Sequence, residues 1–240
     1  MTTLELSPDR TDLRDNVRLM RALRRDGISY ASRQVPVEPE NGDLVVVTPL
    51  GEQRWLIAVG DVMGHGPEAA ELAGRIADHL RERAHAARNL GDLASTANEL
   101  VYALNDGDRF ASLLLMIVDG RCGTFRLANA GHVEPLAVGR GGGVVSLGGH
   151  GAALGVLRDA TYRESGPIRV GPGMVITIVT DGVTDAVDRD GQPYGTARLA
   201  TALAGERSHG PRAVVRRVLG EVHEHAQHDD DRSVVALQFI

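Results

Sequence analysis

The segment WLIAVGDVMGHGPEAA, Trp55 to Ala70, carries three structural instructions in one run. Trp55 to Val59 is short and apolar, as a strand is. It leads to a single carboxylate, Asp61, and then to a tight glycine-containing turn. Pro67 and Glu68 open a helix. Proline lacks the N–H that a first helical residue would leave unpaired, and a carboxylate favours the positive end of the helix dipole. Asp61 is therefore expected at the rim of a sheet, beside glycines that let the backbone approach a ligand. Two readings fit. Either Asp61 binds a metal ion together with the main-chain carbonyl of Val62, or it caps a strand–turn–helix corner.

At 240 residues the chain suffices for one domain of generous size, or a domain with a short appendage. It has no run near the roughly twenty apolar residues of a membrane span. MTTLELSPDRTDLRD at its start lacks the apolar centre of a secretory signal. A cytoplasmic location without membrane attachment is expected. Cys122 is the single cysteine, which leaves no intrachain disulfide and no multi-cysteine zinc site. The formal charge of −6 speaks against a nucleic-acid binder, which presents a basic face. All 26 basic residues are arginine. Without lysine there is no P-loop nucleotide hydrolase, no protein kinase and no Schiff-base chemistry.

Asp9 to Arg25 reads as a helix, with Leu13, Val17, Met20 and Leu23 on one face. So short a helix is marginal alone in water, so the stripe either docks on the domain or pairs as a dimer or regulatory helix. Strands are expected at Ile28 to Val35, Leu44 to Val47 and Trp55 to Val59, with Asp43 in a turn behind Asn41-Gly42, both tolerant of positive φ. Helices follow at Pro67 to Arg88 and Asp92 to Asn105. Phe110 to Val118 and Thr124 to Ala128 form a hairpin. Short strands bracket GRGGG at Gly139 to Gly143. Tyr162 to Val170 and Met174 to Thr180 read as a pair turning at Gly171-Pro-Gly173. A short helix near Thr184, helices at Thr196 to Ala204 and Pro211 to Ala226, and a strand at Ser233 to Phe239 complete the chain. Hairpins dominate, so antiparallel sheets covered by helices fit better than a parallel series.

Four carboxylates recur in similar positions. Asp43 follows a turn, Asp61 and Asp181 follow apolar strands, and Asp230 precedes one. Acids brought to one sheet edge repel unless cations lie among them. Oxygen-only ligand sets select hard ions, Mg²⁺ or Mn²⁺, over zinc. Two such ions can polarise a phosphoryl group for in-line attack. Singly, each aspartate is also what a solvated strand end looks like.

GDVMGHG at Gly60 to Gly66 resembles the GDVSGHG signature of the metal-dependent serine/threonine protein phosphatases, the PPM family, in the bacterial branch typified by SpoIIE and RsbU. Agreement continues in order: NGD at Asn41 to Asp43, FASLLLMIVD at Phe110 to Asp119, NAGH at Asn129 to His132, TDGVTDA at Thr180 to Ala186 and DDRSVVAL at Asp230 to Leu237. The resemblance implies an α+β fold, an α-β-β-α sandwich of two mainly antiparallel sheets flanked by helices, over residues 28–240. Residues 1–27 would be an N-terminal helical extension. It implies two Mn²⁺ or Mg²⁺ ions, with a third left open. Asp61 would bridge them, the Val62 carbonyl would complete one, Asp181 and Asp230 would hold the other, and Asp43 would bind nearby. Asp230 is chosen over Asp229 and Asp231 by aligning Ser233 with the family's threonine.

Met63 stands where this branch has serine, so it supplies no proton to a leaving oxygen; water or His65 would. Asn129 and His132 read as structural or supporting residues, and Arg33 is a weak phosphate-binding candidate. The implied activity is hydrolysis of a phosphoprotein, a STAS-type anti-anti-sigma protein, by hydroxide bridged by the ions, in stress-response or sigma-factor signalling. An upstream activator and a homodimer through the N-terminal helix are the other partners considered. The rival readings are a PPM-fold binding module with little turnover and a two-metal hydrolase of small phosphoesters.

Overall fold

The structure, a computed structural model, describes residues 21–25, 27–104, 109–171, 173–206, 209–226 and 230–240. In chain order its strands and helices are β1 (Arg21–Arg25), β2 (Ile28–Val35), β3 (Asp43–Gly51), β4 (Arg54–Val62), α1 (Pro67–Arg83) and α2 (Leu90–Leu104). Next come β5 (Ala111–Asp119), β6 (Thr124–Ala130), β7 (Leu136–Val138), β8 (Val144–Ser146), β9 (Ser165–Arg169) and β10 (Val175–Val179). The chain ends with α3 (Asp181–Thr184), α4 (Gly195–Glu206), α5 (Pro211–His225) and β11 (Arg232–Phe239). They form two compact units. The first draws on Met1–Pro39, Pro135–Leu147 and Gly171–Ile240, the second on Glu40–Glu134 and Gly148–Val170.

The second unit is a five-stranded antiparallel sheet, β3-β4-β5-β6-β9. Side chains alternate across a strand, and one set, Leu56 and Ala58 on β4 with Leu113 and Leu115 on β5, is buried beneath the two helices. α1 turns Leu72, Ile76 and Leu80 inward, and α2 turns Leu93, Ala97 and Val101. This is the helical period that the sequence predicts, and each large side chain so buried contributes roughly 1.5–3 kcal/mol. Alanines between them (Ala69, Ala73 and Ala77) bring α1 close to the strands. Pro67 does open α1, with Glu68 in its first turn, and Gly66 at the cap has φ 86°, which favours glycine.

The first unit holds a six-stranded sheet in the order β1-β2-β11-β10-β7-β8, with α4 and α5 packed on it. β10 reads VITIV and is wholly buried, as is most of β11. Among the described residues no helix is long and apolar enough to cross a membrane.

Several expectations are corrected. Residues 21–25 are not helical: they form β1, a hairpin partner of β2 closed through Gly27 at φ 80°. Asp9 to Met20, the rest of that expected helix, lie outside the described residues. The strands after Tyr162 do not pair with each other; β9 joins β6 in one sheet, while β10 lies between β11 and β7 in the other. Asp43 is not in a turn but is the first residue of β3, buried and directly opposite Asp61. Neither Asn41 nor Gly42 has positive φ. Asn41 acts instead by accepting the Asp43 N–H at 2.8 Å. α3 begins at Asp181, just past β10, rather than near Thr184.

Candidate metal centre

In the second unit, Asp61 lies in the middle strand of three, opposite Asp43 on β3 and Ser112 on β5. Both neighbours are fixed by ladder hydrogen bonds, so the two carboxylates are paired by the sheet itself. Just past them the chain turns: the Val62 N–H donates to the Gly42 carbonyl at 3.2 Å, and the Met63 N–H to the Phe110 carbonyl at 2.9 Å. Gly64, at φ 91°, and Gly66 make this turn possible.

Gly42 sits where these segments meet. A Cβ placed on it would lie 3.2 Å from the Val62 carbonyl oxygen, 3.3 Å from that of Gly64 and 3.6 Å from Asp61 Oδ1. Three oxygens therefore converge on one small space that glycine leaves open. Sequence reasoning named the Val62 carbonyl but missed Gly42 and the Gly64 carbonyl; the Asn-Gly-Asp run ahead of a strand was the available signal. An oxygen-only set of this kind suits a hard divalent cation.

In the first unit, Gly182, the residue after Asp181, packs against the backbone of Asp231 and the side chain of Asp230. A Cβ on Gly182 would fall 2.1 Å from the Asp231 carbonyl oxygen and 3.3 Å from the Asp230 Cβ. The start of α3 is thus seated against the segment entering β11. The Thr180 hydroxyl accepts the Ser233 N–H at 2.9 Å, and the Arg232 side chain donates to the Gly182 carbonyl at 3.1 Å. Asp231 is buried and its Oδ1 accepts the Val37 N–H at 2.8 Å, while Asp230 is exposed. The carboxylate of Asp231 is engaged with the segment after β2, and Asp230 Oδ1 accepts the Asp231 N–H at 2.8 Å. Although Asp181 counts as exposed, partial burial is the first cause that raises its carboxyl above the ordinary range; the nearby charge of Asp185 is the second. An acid held in such surroundings is poised to welcome a cation. Among the described residues no three acidic, histidine or cysteine side chains gather into a metal-binding group.

Gly182→Ala tests the seating of α3. A methyl group cannot share space with a backbone oxygen, so α3 must shift. Overpacking of this kind costs about 1–3 kcal/mol, read as a lowered urea midpoint, and it should displace Asp181 enough to weaken any metal binding. An unchanged midpoint would mean that this close approach is relaxed in solution.

Asn129 and His132 brace one loop of the second unit. Asn129 Oδ1 accepts the His132 N–H at 2.7 Å, and its Nδ2 donates to the His132 carbonyl at 2.9 Å. The imidazole is buried, with Nδ1 at 3.0 Å from the Val133 carbonyl. A carbonyl only accepts, so Nδ1 carries the proton, and Nε2 has no partner among the described residues. Burial pushes this histidine from 6.5 down to about 4. The unfolded chain then binds its proton below 6.5 while the folded one does not, so stability is full above 6.5 and falls as the pH drops toward about 4. The whole span amounts to about 3 kcal/mol. Urea midpoints of the native chain should fall between pH 7.5 and 5, and His132→Gln should flatten part of that slope; an unaltered slope would acquit His132. His65 is exposed in the Gly64–Gly66 turn, and Arg33 lies on β2 opposite Val234, in the first unit.

The family model described as Stage II sporulation protein E (SpoIIE) matches residues 51–240. Protein IcfG of Synechocystis sp. is 24% identical over 226 residues, 81% of this chain, and the match spans only 35% of that longer protein. The SiaA-PP2C domain of Pseudomonas aeruginosa superposes with a TM-score of 0.77 at 20% identity, over 88% of this chain and 86% of that one. The RsbU and RsbW domains of Rv1364c from Mycobacterium tuberculosis give 0.75 at 24% identity, over 89% of this chain and 60% of theirs. These likenesses show the fold, the two mainly antiparallel sheets with flanking helices that the sequence resemblance implied.

Proposed function

The chain belongs to the SpoIIE family, and from that membership we propose that it is a metal-dependent serine/threonine protein phosphatase acting on a phosphorylated STAS-type protein in sigma-factor signalling. The observation that carries this reading is the convergence of the Val62 and Gly64 carbonyls and Asp61 Oδ1 on the space beside Gly42. Oxygen acceptors crowded together with two paired acids are electrostatically costly without a cation. The ligand set in this reading is Asp43, Asp61, the Val62 carbonyl, Asp181 and Asp230, holding two Mn²⁺ or Mg²⁺ ions.

When bound, the ions supply Lewis-acid activation of water and of the phosphoryl group. The protein's own residues do the rest. The β3–β4–β5 ladder fixes Asp61 between two neighbours, so its carboxylate is pre-positioned rather than ordered on binding. Asp231 takes the backbone contact at Val37, while Asp230 Oδ1 accepts the Asp231 N–H at 2.8 Å. Met63, more than a third exposed, offers no proton, so the leaving serine oxygen takes one from water. Residues 28–240 together with β1, which joins the same sheet, form the phosphatase domain, and the residues ahead of β1 are an extension on which an activator acts or through which two copies pair. That the similar Mycobacterium tuberculosis protein carries RsbU and RsbW domains in one chain supports a role in partner-switching control.

The test is manganese-dependent phosphate release from phosphorylated STAS proteins, beside p-nitrophenyl phosphate and small phosphometabolites. Preferential turnover of the phosphoproteins supports the proposal. Activity confined to metabolites, or none above background, overturns it.

A further inference from the structure

The helix-covered face of the second unit's sheet changes character at one end. On β4 the residues facing the helices run Ala58, Leu56 and then Arg54; on β5 they run Leu115, Ile117 and then Asp119. Strand register carries the change across the sheet, because Arg54 lies opposite Asp119, Asp119 opposite Thr124 and Thr124 opposite Arg169. Directly opposed residues of antiparallel strands share a face, so this polar rung continues the apolar rows above it. α1 stops at Arg83 and α2 begins at Leu90, so the helices cover the apolar rows but not the rung. A cavity of 670 Å³ opens there, lined in part by Leu56, Ile117 and Phe125 and by four arginines, Arg54, Arg88, Arg126 and Arg169. That volume lies within the roughly 300–1,000 Å³ of small-molecule sites.

Its charge is out of keeping with the rest of the molecule. The chain carries a formal −6, yet four guanidiniums here face only the carboxylates of Asp119 and Glu164. Both carboxylates are already engaged. Glu164 pairs with Arg126 at 2.7 Å and accepts the Leu90 N–H at 2.8 Å, at the start of α2. Asp119 accepts the Cys122 N–H at 2.8 Å. Arg54, Arg88 and Arg169 make no side-chain hydrogen bond or ion pair among the described residues. Three guanidiniums from β4, β9 and the α1–α2 connection thus border one concave, partly apolar space without an ion pair among the described residues. Guanidinium groups match phosphate geometry and charge.

We propose that this cavity binds a small organic anion, a phosphate group carried on an apolar or aromatic body of about nucleotide size. The arginines hold the phosphate and the leucine–isoleucine floor receives the body. The site is separate from the Asp43–Asp61 pair, which lies at the opposite end of β4, so occupancy needs no divalent ion.

The test uses the full chain in EDTA with two probes, adenosine 5′-monophosphate and inorganic phosphate, read by calorimetry. Cys122, exposed, lining the cavity and the single thiol of the chain, reports location through its alkylation by neutral iodoacetamide. The nucleotide should bind saturably and more tightly than phosphate, and should slow alkylation. Arg54→Ser with Arg169→Ser should weaken binding by at least about tenfold and abolish the protection. Arg88→Ser, on a different element, should weaken it independently, whereas Arg75→Ser on the exposed face of α1 should not. No saturable binding of the nucleotide, unprotected Cys122, or binding undiminished in correctly folded arginine variants overturns the proposal.

Discussion

Asp61→Asn is expected to abolish manganese-dependent phosphate release and to leave the fold intact. The substitution is nearly isosteric and removes one charge and one strong acceptor. Asp61 is half-buried in β4, whose backbone is paired on both sides along its length. The ladder does not need the side chain, and the buried rows at Leu56 and Ala58 are untouched. What is lost is the anionic partner of Asp43 and one of the three oxygens that converge beside Gly42. Changes to groups that merely support a metal ligand cost about 10- to 100-fold. In the proposed function Asp61 is a ligand shared by two ions, and its loss should then exceed that, at about a thousandfold or more in kcat/KM, or some 4 kcal/mol of transition-state stabilisation. The urea midpoint without metal should not fall, because a repulsive acid pair has been relieved. Undiminished turnover by the variant would remove Asp61 from the chemistry, and collapse of the fold would show that its charge is structural.

That Asp61 could be singled out from sequence at all reflects how local its signals are. An apolar strand, a glycine turn and a proline-opened helix each follow from residues within a few positions of one another, and β4 and α1 appear where those residues put them. Long-range pairing is different. Gly171-Pro-Gly173 looks like a hairpin turn, yet β9 and β10 belong to different sheets, because what decides a strand's neighbours is burial against distant partners. Residues 21–25 show the same limit from the other side. Leu23 falls at helical spacing with Met20 and Val17, but Gly27 permits a hairpin and β2 offers an edge, so tertiary pairing overrides the local pattern. At the site, the aspartates were legible as residue types ending apolar runs. The role of Gly42, whose contribution is an absent side chain, was not, nor was the effect of Asp185 on Asp181, which depends on how α3 is seated.

Asp181→Asn separates stability from function in the opposite direction. Burial first and the Asp185 charge second raise the Asp181 carboxyl, partly offset by hydrogen bonds from the backbone N–H groups of Gly182 and of Asp181 itself. An acid raised by folding holds its proton more tightly in the native chain than in the unfolded one. Its contribution to stability is therefore complete at low pH and is lost as the pH rises through the native value. At neutral pH the metal-free native chain carries this ionised group at a cost, which asparagine removes. Metal-free Asp181→Asn should accordingly melt above the native chain at pH 7.5, with the gap narrowing as the pH falls. Saturating manganese should invert the order. A ligand that binds only the native state adds about 2.7 kcal/mol at a hundredfold excess over its Kd, and the variant, short of one carboxylate, captures less of it. Phosphate release by the variant should fall at least about a hundredfold if Asp181 is a ligand, as proposed, and not a supporting group. If manganese stabilises both proteins equally, Asp181 holds no ion. If the metal-free variant is the less stable one, the repulsion from Asp185 is outweighed by what its carboxylate accepts at the start of α3.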